Sequence, residues 1–252
     1  MVFNSLTEAP HDLKEGIDWL IALKGSDAKN NLAAMGAALY DLLADKPVGF
    51  TELPALENVK LISKDFLAKP ELKGQWFVRR LQSRFNRRMN KDSHRRGKPM
   101  MYLTDSDYNN AVKGKDLTAE TIAKDLGEVV DGCEKFLDDI KTPGKYKSAY
   151  SSEATWDASC AKDPEACAVV LVGIAPMLFV GLRSLFDAAS VKGTLCMGSN
   201  NRVSEKVLNA VGYEVPQRRT EIIRSDFLKA LDAVSFEMLN TIYDLAGFWA
   251  FY

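Results

Sequence analysis

Histidine is almost missing from this chain. Its two copies, His11 and His94, lie in unrelated contexts, with no second histidine or cysteine at ligand spacing. Histidine-based catalysis and a metal centre are therefore not expected. No Gly-x-Ser-x-Gly, phosphate-binding glycine loop, dinucleotide fingerprint or His-Glu-x-x-His is present, so no cofactor is expected either. The sequence also lacks an N-x-Ser/Thr sequon. Residues Met1–Pro10 show no basic segment followed by an apolar core, so no conventional secretory signal is read. That favours reduced thiols, unless a leader is removed or export is unconventional. The net charge of −1 gives no global pull towards nucleic acid or an anionic membrane, and any such attraction must be local.

Strand-like alternation is also scarce, whereas helical periodicity is everywhere. Leu13, Ile17, Leu20 and Ile21 mark one amphipathic helix, ended by Gly25. Leu32, Met35, Leu39, Leu42 and Leu43 mark a second, and the short gap predicts an antiparallel hairpin. A third carries Leu56, Val59, Ile62 and Phe66, and a fourth runs from about Gln75 to Arg88. Thr118 caps the clearest helix, with an apolar stripe from Ile122 to Ile140. A short helix is expected around Ser204–Val211, and a last pair near Ser225 and Ser235, the final helix presenting Phe236, Leu239, Ile242, Tyr243, Ala246 and Trp249.

The most informative stretch is Ala154–Asp187. Asp163-Pro164-Glu165 is a helix start with a side-chain cap, a proline at the first position and an acid near the dipole. Seventeen almost wholly apolar residues, Ala166–Leu182, follow. A membrane span needs about 20. This run is shorter, contains Gly173, Pro176 and Gly181, and is followed by Arg183 and Asp187, so it reads as a buried core helix rather than a transmembrane segment. The expected fold is all-α: a compact bundle of about eight to ten helices around that central apolar helix. The polar stretch 89–117 reads as a loop or linker between an N-terminal helical half (1–88) and a C-terminal half (118–252), unless the two form one continuous domain.

Candidate functional residues are few. From Arg79 to Lys98 there are nine Arg or Lys residues and one acid, Asp92. Arg80, Arg84 and Arg87 share a helix face; Arg88, Arg95 and Arg96 extend the basic run. Such a helix can bind an anionic partner, although a charge run is more often a solvated face. No aromatic stacking pattern accompanies it, so nucleic acid is the weakest partner. Cys133, Cys160, Cys167 and Cys196 can pair in three ways, and Cys160 with Cys167 forms a small loop in an oxidising compartment. Otherwise these are packed or exposed thiols. Asp105 and Asp107 in the linker, and Asp138 and Asp139 on a helix, read as solvent-facing pairs rather than catalytic dyads. Trp19, Trp76 and Trp249 read as core, whereas Trp156, in a polar segment, either lids the core or stands exposed.

Leu6–Pro10 (Leu-Thr-Glu-Ala-Pro) and Leu13–Trp19 (Leu-Lys-Glu-x-Ile-Asp-Trp) resemble the opening of proteins in the multigene families of Babesia piroplasms, which include uncharacterised members and relatives of the variant erythrocyte surface antigens. Asp45–Phe50, Tyr146–Trp156, Cys160–Leu185 and Thr241–Tyr252 also resemble members of that set. The resemblance covers most of the chain except the basic segment around residues 86–100. It implies a link to antigenic variation and the infected-erythrocyte surface, and carries over no catalytic residue. Its members are often longer and membrane-anchored; no anchor is expected from this sequence, which has four cysteines. The apolar ending Phe248–Tyr252 suggests that the natural polypeptide continues.

The function expected is that of a non-enzymatic parasite protein, an exported or surface-associated interaction or antigenic module with an unknown host or parasite partner. A small soluble paralogue is the other form such a member takes. The alternative is a peripheral membrane or polyanion-binding protein working through the basic helix. A third reading is an enzyme without a recognisable motif.

Overall fold

A computed structural model describes residues 2–87, 105–190 and 203–252. Its helices are α1 (Leu13–Lys24), α2 (Ala28–Leu43), α3 (Pro54–Leu67), α4 (Trp76–Asn86), α5 (Ala111–Gly114) and α6 (Ala119–Ile140). They continue with α7 (Trp156–Ser159), α8 (Pro164–Ser190), α9 (Glu205–Ala210), α10 (Arg224–Leu231), α11 (Phe236–Leu245) and α12 (Phe248–Phe251). No strand occurs among the described residues, where β pairing is confined to the isolated bridges Phe3–Tyr150 and Lys141–Arg218. The protein is the all-α bundle that its periodicity implies.

Local chemistry explains the main helix starts. Asp12 accepts a hydrogen bond from the Glu15 amide at 2.9 Å and so caps α1. Thr118 and Thr121 exchange side-chain and backbone bonds of 3.2 and 2.8 Å, a capping box at the head of α6. Asp163 accepts from the Ala166 amide at 3.2 Å, and Pro164 opens α8 behind it.

The axis of the bundle is α8. Its segment Pro164–Ala189 is long and apolar enough to cross a membrane, with a mean hydropathy of 2.2, yet 83% of its apolar window is buried within the protein. Helices α1, α2, α3, α10 and α11 pack around it. Two glycines permit the closest approaches. A Cβ on Gly173 would stand 2.5 Å from Val59 Cγ1 on α3, and one on Gly181 would stand 2.8 Å from Leu13 Cβ on α1. Pro176 leaves the Val172 carbonyl without its helical donor. One residue on, Gly173 O accepts from Ser63 Oγ at 2.6 Å, which ties α3 to the same turn. Each leucine buried here, such as Leu178 and Leu182, contributes roughly 1.5–3 kcal/mol.

The second organising helix is α6, whose stripe Ile122, Leu126, Val129, Val130, Cys133, Phe136, Leu137 and Ile140 is buried against α1, α2, α10 and α11. Although α1 and α2 meet as a pair, α2 packs mainly on α6. The buried apolar residues form one cluster drawn from both sides of residues 89–117.

Two local expectations are corrected. Within the described part of the linker, Asp105–Asp107 form a 3-10 turn and Ala111–Gly114 a short helix, because Asp107 and Asn110 have buried partners to reach. The last helix breaks into α11 and α12 at Gly247, whose φ of 64° is left-handed. The break turns Trp249 inward, where the amides of Gly49 and Thr51 donate to the carbonyls of Trp249 and Ala250 at 3.0 and 2.7 Å. Phe236, at the start of α11, is exposed and stacks on Phe186.

Candidate functional site

The basic helix α4 does not lie flat on the surface. Phe77, Val78 and Leu81 anchor it to the core, and the same rotation carries Arg84 inside. Arg84 and Asp107 form an ion pair whose side chains are 4% and 0% exposed. Arg80 reaches the same carboxylate at 2.9 Å, and Tyr243 of α11 donates its hydroxyl to the other oxygen at 2.7 Å. The Arg84 guanidinium lies 4.7 Å above the Phe248 ring. Ser106 donates to Asp244 at 2.6 Å, and Lys115 pairs with that carboxylate as well. A buried charge must be paired, and this network satisfies both arginines with one internal acid.

The expectation of a solvent-facing Asp107 is thereby corrected. Positions 80 and 84 lie one turn apart and share a face, but that face looks towards Asp107. Arg87 differs because it closes the helix with an extended backbone (φ −150°) and stands exposed. Arg88, Arg95 and Arg96 lie outside the described residues.

Beside this network, α3, α4 and the end of α12 enclose a cleft of about 220 Å³. Lys60, Lys64, Arg84 and Arg87 supply four cations, against one lining acid, Glu57. Lys60 donates to Glu57 at 2.8 Å and to the Phe251 carbonyl at 2.7 Å, so two of its three protons are engaged. Lys64 and Arg87 have no ion-pair partner among the described residues. Tyr252 also lines the cleft; its hydroxyl is buried without a hydrogen-bond partner among the described residues, and burial raises its pKa well above the usual phenol value. Leaving such a group unsatisfied costs about 1–3 kcal/mol. Lys60 and Lys64 lie outside the basic run Arg79–Lys98. Their i, i+4 spacing on α3 is visible in sequence, but their convergence with Arg87 is tertiary.

A second cleft, of about 250 Å³, lies between α6 and α11 and is lined by Asp125, Glu237, Asp244 and Lys115. Its acids are spoken for in part, since Asp244 is held by Ser106 and Lys115. Among the described residues no group of three or more His, Cys, Asp or Glu side chains is placed to hold a metal ion.

Cys160, at the end of α7, is joined by a disulfide to Cys167 in the first turns of α8, and both are fully buried. The neighbouring Ser159 hydroxyl accepts from the Leu6 amide at 3.0 Å, and Trp19 donates to the Leu6 carbonyl at 2.8 Å. The disulfide thus sits where the N-terminal lead-in, α1 and the core helix meet. Cys133 is a buried thiol whose pKa is pushed up to about 12 by desolvation, which keeps it protonated and unreactive. Cys196 lies outside the described residues. Trp156 is buried and lids the core, while Trp76, expected inside, is 50% exposed.

In the middle of α1, Asp18 accepts from Lys14, from the Tyr146 hydroxyl and from the Ala149 amide at 2.9, 2.6 and 2.8 Å. Burial, with Asp18 adding to it, raises the Tyr146 hydroxyl pKa far above the phenol range. This is a satisfied structural knot.

Comparison with protein-family models, with curated proteins and with solved structures finds no match. The functional reading therefore rests on the chain's own residues and on the resemblance described above.

Proposed function

We propose that this chain is a non-enzymatic parasite protein, an exported or surface-associated interaction module of the Babesia multigene type. The observation that carries this reading is the Cys160–Cys167 disulfide. Disulfides of this structural kind persist in oxidising compartments and are rare in the cytosol. The buried bridge lies inside the Cys160–Leu185 stretch that resembles the family, and Ser159, next to Cys160, accepts from the amide of Leu6, a residue of the opening motif whose carbonyl accepts from Trp19. Localising the native protein with an antibody tests the reading. Signal beyond the parasite plasma membrane is the expected result; confinement to the parasite cytosol removes the proposal.

A second reading, binding of an anionic partner through the basic surface, is favoured by Lys64 and Arg87, two neighbouring cations without a partner among the described residues. Such binding weakens as salt rises, because exposed charges are screened over about 10 Å at 0.1 M ionic strength.

A further inference from the structure

We infer that the cleft between α3 and α4 is a binding site for a phosphate monoester with an apolar stem. The inference rests on the second reading above and narrows it to one cleft and one ligand chemistry. Charge selects the head group: Lys64 and Arg87 are two cations without ion pairs among the described residues, and a phosphate monoester carries about −1.5 to −2 at neutral pH. The planar fork of Arg87 matches two phosphoryl oxygens, while Lys64 acts as a point charge beside it. Lys60 and Arg84, buried at the base and already held by Glu57 and Asp107, add positive field. The Tyr252 hydroxyl, buried on a residue that lines the cleft, lacks an acceptor among the described residues.

Size and lining select the stem. At about 220 Å³ the cleft lies below the roughly 300–1,000 Å³ of pockets that bury a drug-sized ligand, which suits a single head group with a stem resting on the rim. Phe50, Leu61 and Phe85 line it, and Leu61 and Phe50 are among the exposed large apolar side chains of the protein. An acyl or aryl group lying on them would cover that surface. A free ester and the headgroup of phosphatidic acid share this chemistry.

The experiment titrates the full chain with phenyl phosphate by calorimetry, alongside sedimentation with phosphatidylcholine vesicles with or without phosphatidic acid. The test variant is Lys64→Ala/Arg87→Ala. The control is Lys73→Ala/Arg79→Ala, which removes the same charge from exposed positions outside the cleft. Saturable binding that falls about tenfold or more in the test variant, and little in the control, bears the inference out. Cleft-dependent retention by phosphatidic acid vesicles then identifies a lipid source, and its absence a soluble ester. Equal losses in both variants, or vesicle binding without phenyl phosphate binding, overturn the cleft while leaving the broader anionic reading intact. No binding of either probe overturns both. Unchanged thermal unfolding of each variant separates loss of binding from loss of fold.

Discussion

Arg84 of α4 and Asp107 of the 3-10 turn are buried against each other, and Tyr243 of α11 closes the pair from the far side. Three segments far apart in the chain are thus fastened by one carboxylate. Asp107→Ala leaves a buried guanidinium without its acceptor and is expected to cost about 3–5 kcal/mol in chemical unfolding. Tyr243→Phe removes one bond to a charged acceptor and is expected to cost about 1.5–3 kcal/mol. Wild-type stability in Asp107→Ala would show that the pair holds nothing together.

The close approach of α8 and α3 depends on the missing side chain at Gly173. Gly173→Val drives new methyl groups into Val59 and is expected to lose about 1–3 kcal/mol or more. Adding Val59→Ala should return part of that loss, read as a positive coupling in a double-mutant cycle. Strict additivity would contradict the packing described.

The Cys160–Cys167 bridge spans a sequence separation of 7, and a loop of that size contributes roughly 2–3 kcal/mol by restricting the unfolded chain. Reductant should lower the melting temperature of the wild type and leave Cys160→Ser/Cys167→Ser unchanged. A wild type insensitive to reductant under unfolding conditions would speak against it.

Asp12 has its pKa raised from 3.8 to about 6, first by burial and then by the neighbouring Glu15 carboxylate. Because the folded state disfavours the charged form, Asp12 opposes folding fully above pH about 6, and that opposition is relieved as pH falls towards 3.8. Asp12→Asn keeps a capping oxygen without the charge. It should be more stable than wild type at neutral pH, and the difference should shrink below pH about 6. A constant difference across that window would contradict the assignment. In Gly212→Ala, a new Cβ would lie 2.5 Å from the Asp12 carboxylate at a φ of +96°, so that variant should be destabilised at every pH.

Local signals were readable where one residue sets one element. Thr118 caps α6, Asp163-Pro164 opens α8, and the Ile122–Ile140 stripe is buried as its period requires. Signals that depend on a distant partner were not. Asp107 looks like a loop acid until Arg80, Arg84 and Tyr243 arrive from two other helices. The periodicity from Phe236 to Trp249 runs through Gly247, yet tertiary bonds from Gly49 and Thr51 to α12 win over continued helix. The basic run pointed to α4, but the cleft cations without an ion pair among the described residues, Lys64 and Arg87, are shared between α3 and the end of α4. A helical wheel places residues on a face without saying whether that face meets water.

Trapping the thiols of the native protein at the moment of cell lysis, followed by peptide mapping, tests the proposed role most directly. An exported module should yield Cys160 and Cys167 in one disulfide-linked pair that resists alkylation until reduced. Recovery of both as alkylated free thiols from rapidly quenched cells would place the protein in a reducing compartment and contradict the account.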